Sequence, residues 1–125
     1  MATGKLKLGA LESDVRAAAE WCCDVADYYS VPVTVVSGKR SFQEQSRLYR
    51  NYRQCVESGR FGRTPDCKYP ANPPGESAHE YGLAWDSVVP AEYMPWWIHV
   101  RELAGFDVLR GDEPHAEVPN WRAYV

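Results

Sequence analysis

The sequence predicts an α+β fold: a small antiparallel sheet flanked by about three helices. Three observations predict it. Apolar residues recur at helical spacing in three segments, 11–30, 42–57 and 91–104. Short runs of strand character stand between and after them, at 31–36, 82–89, 106–109 and 115–118. The last two runs are joined by a Gly-containing turn at Gly111, as in a hairpin.

In the first helix Leu11, Val15, Ala18, Ala19, Cys22, Val25, Ala26 and Tyr29 form the apolar stripe, and Ser30 and Pro32 end it. Val31-Pro32-Val33-Thr34-Val35-Val36 is a β-branched run and therefore a strand. Ser37-Gly38-Lys39-Arg40 is the turn that follows. Ser41 and Glu44 have the spacing of a capping box at the head of the second helix. Phe42, Leu48, Tyr49, Tyr52 and Val56 carry that helix to about Glu57, and Gly59 stops it.

Residues 59–76 are rich in Gly and Pro and predict a long loop leading into Ser77 and His79, one rim of a site. In the strand expected at 82–89, alternation puts Gly82, Ala84, Asp86 and Val88 on one face. The small neighbours of Asp86 on that face leave room for a ligand. Residues 91–104 then form the third helix, with Pro95 in its first turn and Gly105 as its stop.

A chain of 125 residues predicts one domain spanning 1–125, and a monomer is expected. A net charge of −3 with no basic stripe argues against nucleic acid as a partner. No apolar run is long enough to insert in a membrane, and the N-terminal residues lack the apolar core of a secretory leader. Synthesis in the cytoplasm is the expectation. Cys22 and Cys23 fall on the first helix as core fillers. Cys55 and Cys67 flank a loop and could bridge in an oxidising compartment, but without a leader free thiols are the preferred expectation.

His79 and Asp86 stand seven positions apart, and His115 lies between Asp112-Glu113 and Glu117. Two imidazoles and a carboxylate are the donor set of a catalytic zinc, which keeps a fourth position open. One zinc ion is therefore the expected cofactor, with a nearby carboxylate to take a proton from the activated water. Asp112, Glu113 and Glu117 all qualify as that base. His99, in mid-helix, reads as structural. The HExxH signature is absent, because residue 83 is Leu.

Ser77-x-His79-x-x-Gly82-x-Ala84-x-Asp86 resembles the SxHxxGxAxD motif of the zinc D-alanyl-D-alanine carboxypeptidase and L-alanyl-D-glutamate endopeptidase family. Ser37-Gly38-Lys39-Arg40-Ser41 with Gln45 and Leu48-Tyr49 is similar to the family's SGxRSxxxQxxLY segment, and Asp112-x-x-His115 to its (E/D)xxH segment. The three motifs stand in the right order over residues 35–117. The resemblance implies the hedgehog-like peptidase fold and a peptidoglycan stem peptide as substrate. It implies His79, Asp86 and His115 as zinc ligands and Asp112 as general base. It assigns Arg40 to substrate contact, Ser77 and Gln45 to substrate contact or to support behind the ligands, and Glu117 to a place behind the ligands.

Lys39 departs from the aromatic often found in the second motif. The Asp form of the third resembles phage endolysins, which implies an L-alanyl-D-glutamate endopeptidase released to the cell wall through a holin lesion or carried in a virion. The alternatives are a D-alanyl-D-alanine carboxypeptidase and a non-catalytic cell-wall-binding module.

Overall fold

The computed structural model describes residues 1–125. Three helices, α1 (Ser13–Tyr28), α2 (Phe42–Glu57) and α3 (Met94–Leu103), accompany four strands. The strands are β1 (Thr34–Ser37), β2 (Ala84–Val88), β3 (Asp107–Val108) and β4 (His115–Glu117). They form one antiparallel sheet in the order β1-β2-β4-β3. The fold class matches the expectation from periodicity.

The two faces of the sheet differ as strand alternation requires. Val35, Trp85, Ser87 and Ala116 point to the core. There they meet α1 through Val15, Ala19, Cys22 and Ala26, and α3 through Trp97 and Val100. Trp85 stands edge-on to Trp97 and Phe106 at 6.1 and 5.7 Å, so the aromatics close the core around β2. Truncating Trp85 to Ala would cost roughly 3–5 kcal/mol. Asp86, His115 and Glu117 point to the opposite face. His99 is exposed on α3, away from them.

Helix α2 does not join the core. Only Gln45 and Cys55 are buried on it. It lies beside the loop that follows, and the two form a wall on the site face. Cys55 and Cys67 are joined by a disulfide, which corrects the expectation of free thiols. The loop folds back on α2 through backbone bonds of Arg60 and Phe61 to the Cys55 carbonyl, which bring the two sulfurs together. Linear spacing alone cannot reveal that return. Cys22 and Cys23 are free and buried, and burial pushes their thiols up to about 12 and about 11.

Several boundaries shift. The first strand begins at Thr34 rather than Val31. Ser41 caps α2 by accepting the Glu44 N–H, but the reciprocal bond from Glu44 is not formed. The full capping box is at Ser77 and Glu80. The third helix opens with a 3₁₀ turn at Ala91–Tyr93.

Gly82 lies outside β2, in the left-handed region at φ 72°, and closes the turn before the strand. A Cβ there would sit 2.9 Å from the Glu12 backbone nitrogen. Its smallness therefore admits the N-terminal segment and does not clear the metal face, contrary to the alternation argument. Gly38 meets the same segment, since a Cβ would run into the Lys7 carbonyl oxygen.

Candidate active site

Asp86 and His115 face each other directly across β2 and β4. His79 sits on a 3₁₀ turn, Ala78–Tyr81, built for it. Ser77 starts that turn by accepting the His79 N–H, and Glu80 reaches back to the Ser77 N–H at 3.3 Å. Gly82 ends it by donating to the His79 carbonyl. The backbone of His79 is thus fixed on both sides before its side chain makes any contact.

The side chains bring one atom each to a common point. His79 Nε2 lies 3.2 Å from Asp86 Oδ1 and 3.1 Å from His115 Nδ1, and His115 Nδ1 lies 3.2 Å from Asp86 Oδ1. A tetrahedral ion with bonds of about 2.0–2.1 Å separates its donors by roughly 3.3 Å, so the triangle has the size a zinc requires.

The outward atoms are all engaged. His79 Nδ1 is 2.8 Å from the Gly38 carbonyl, which makes it the protonated nitrogen and leaves Nε2 a lone pair. His115 Nε2 is 2.7 Å from Glu117 Oε1, which frees Nδ1 in the same way. Asp86 Oδ2 accepts from Arg40 Nη2 at 2.6 Å and from Ser37 Oγ at 2.7 Å, so Oδ1 is the oxygen turned inward. Three donor atoms turned on one another form a place that could hold a metal ion. The donor set fits one zinc ion.

The electrostatics agree. Burial alone would raise the Asp86 carboxyl, but hydrogen bonds from His115 and His79 and the Arg40 charge hold it well below the usual carboxylate range. Burial likewise opposes charge on His115, yet its bonds to Asp86 and Glu117 carry it up to about 9 in the metal-free chain. Burial pushes Asp112 above the usual range, against the pull of His115.

A cavity of about 680 Å³ opens over the three donors. Its lining includes Leu48 and Tyr52 of α2, Tyr69 and Asn72 of the loop, and Leu109 and Asp112 of the turn between β3 and β4. The Gly- and Pro-rich segment forms a rim, as its position before His79 suggested. Asp112 shares this cavity with the donors.

Of the other candidates, Ser77 and Gln45 take the supporting one of the two roles expected for them. Arg40 is spent first on Asp86. Gln45 is buried, donates to the Asn72 carbonyl at 2.8 Å and accepts from Arg40 Nη1 at 3.3 Å, so it braces the loop against the arginine. Ser77 is buried as the cap of the His79 turn. Sequence reasoning missed two contributors, the Ser37 hydroxyl and the Gly38 carbonyl. Both lie in the segment that carries Arg40, which was the available signal.

The sequence profile of the VanY D-alanyl-D-alanine carboxypeptidase family matches residues 9–100. The chain belongs to this family. The match takes in Arg40, Gln45, Ser77, His79 and Asp86 and ends before Asp112 and His115; the fold brings His115 to His79 and Asp86, and Asp112 into the same cavity. Membership makes the chain a hydrolase of peptidoglycan peptides.

Solved structures share the VanY-type fold. The LdcB LD-carboxypeptidase superposes with a TM-score of 0.67 at 21% identity, covering 92% of this chain and 72% of that one. The vancomycin-resistance D,D-pentapeptidase VanY, solved in complex with Zn(II), gives 0.67 at 18%, covering 90% and 75%. The Serratia marcescens L-Ala D-Glu endopeptidase ChiX gives 0.59 at 19%, covering 94% and 86%. No curated protein sequence matches the chain.

Proposed function

We propose that this chain is a zinc-dependent L-alanyl-D-glutamate endopeptidase that cuts inside the peptidoglycan stem, and therefore acts at the cell wall. The observation that carries the internal cut is the course of the cavity. Its walls run from α2 to the turn beyond β3, with Asp86 and His115 on the strands between and His79 on the turn before β2. A peptide along it has room on both sides of the bond to be cut. Arg40, the cation beside the donors, is already bonded to Asp86, which argues against its anchoring a terminal carboxylate.

His79, Asp86 and His115 hold the metal. Bound there, zinc polarises the scissile carbonyl and acidifies a water. Asp112 takes the proton of the attacking water on its carboxylate and delivers it to the leaving amine nitrogen. Its burial raises its proton affinity, which suits a base. Arg40 Nη1, held only by the longer bond to Gln45, is the part of that side chain left to touch a substrate carbonyl.

The second reading is a D-alanyl-D-alanine carboxypeptidase, which the family description favours. Lys68 and Arg110 line the cavity and would then supply the charge for a terminal carboxylate. Digestion of purified sacculi with mass spectrometry of the products separates the two. New N-terminal D-Glu is the expected result. Released D-Ala would establish the carboxypeptidase, and no cleavage with retained binding would leave a cell-wall-binding module.

A further inference from the structure

Arg101 is fully buried, at 0% exposure, and joins no ion pair. Its Nε donates to the Trp97 carbonyl one turn back on α3, and Nη2 faces the Met94 sulfur. The guanidinium lies over the Trp97 ring at 5.4 Å. Burial without a carboxylate partner pushes it down to about 10. A buried charge is costly, and an apolar side chain of similar volume usually fills such a site at least as well. Its one polar contact outside α3 is a bond from Nη1 to the Pro114 carbonyl at 3.2 Å.

That carbonyl is a junction. It also accepts the Ser87 N–H at 3.0 Å. Ser87 Oγ in turn accepts from Trp97 Nε1 at 2.8 Å, which closes a buried ring of Trp97, Ser87, Pro114 and Arg101. Pro114 immediately precedes His115. The turn before it is held by Asp112 N–H to the Leu109 carbonyl and His115 N–H to the Asp112 carbonyl. Donors from α3 and β2 therefore converge from the core side on one peptide oxygen, and the residues flanking that peptide reach the site on the other side.

We propose that Arg101 is a positioning residue, whose grip on the Pro114 carbonyl holds the turn that carries Asp112 against the metal site. Its effect on turnover rests on Asp112 being the base, whereas its effect on the turn does not.

The test uses Arg101→Met and Arg101→Lys, with hydrogen exchange read by mass spectrometry, zinc titration and steady-state kinetics. In Arg101→Met, exchange should quicken at residues 109–115, with amides of α1 and β1 unchanged. Zinc should still bind stoichiometrically. The kcat should fall about tenfold or more with KM within a factor of two, as a misplaced base requires. Arg101→Lys keeps the charge and one donor and should recover much of both losses. If Arg101→Met does not fold, Arg101→Lys alone should show a smaller quickening confined to the same segment.

Unchanged exchange at 109–115, quickening spread over the whole chain, or a Lys variant no better than Met would overturn the proposal. Full activity in Asp112→Asn would instead remove Asp112 as the base, while leaving the effect of Arg101 on the turn intact.

Discussion

Arg40 and Asp86 meet at 2.6 Å between Nη2 and Oδ2, and this contact decides which carboxylate oxygen faces the imidazoles. With Oδ2 held by Arg40 and Ser37, Oδ1 is left to the metal. Arg40→Ala should therefore weaken zinc binding about 10- to 100-fold, the usual penalty for losing an orienting partner. A chelator-competition titration measures it. Arg40→Lys should recover only part, because an ammonium lacks the planar fork that spans Asp86, Ser37 and Gln45.

Glu117 performs the matching service for His115. Its Oε1 at 2.7 Å keeps the proton on Nε2. Glu117→Ala should lower zinc affinity by about tenfold or more, whereas Glu117→Gln, which can still accept that N–H, should lose less. The same titration, run on both variants, distinguishes them.

Protons and metal compete for the site. In the metal-free chain His115 titrates at about 9, above its ordinary 6.5. A raised value means stability that is fully present below about 6.5 and lost as pH rises through about 9. Asp86 is depressed, so its contribution is present above the ordinary carboxylate value and lost as pH falls through the folded one. Urea unfolding of the metal-free chain should thus show higher stability at pH 6 than at pH 9.5. Zinc binding at pH 7 should release about one proton, because His115 must deprotonate to ligate. Calorimetry in buffers of different ionisation enthalpy counts it.

The Cys55–Cys67 disulfide ties the cavity wall and touches none of the metal donors. Replacing both cysteines with Ser should lower stability by about 3 kcal/mol, the loop-closure scale for this separation. It should raise KM and leave zinc affinity unchanged. Thermal melts, kinetics and metal titration together separate these effects.

Much of this site is legible in the chain because its three donors fall in motifs whose spacing reports their geometry. Asp86 and His115 lie on runs of clear strand character. Helices α1 and α2 are legible from periodicity and from Ser41. What is not legible depends on contacts between distant segments. Gly82 looked like space for a metal, but it answers to the backbone of Glu12. The chain left Ser77 and Gln45 open between support and substrate contact, and only the fold shows that their buried polar atoms are used within the protein. The return of the 59–76 loop onto α2, which pairs the cysteines, leaves no periodic signal.

Asp112→Ala tests the catalytic claim most directly, read by zinc content and by hydrolysis of sacculi in the same preparation. The ligands His79, Asp86 and His115 are untouched, so one zinc per chain should remain while cleavage falls by a factor on the order of 10² to 10⁴, the worth of a general base. Turnover retained at the wild-type rate, with zinc bound, would contradict the account and move the base to Glu113 or Glu117.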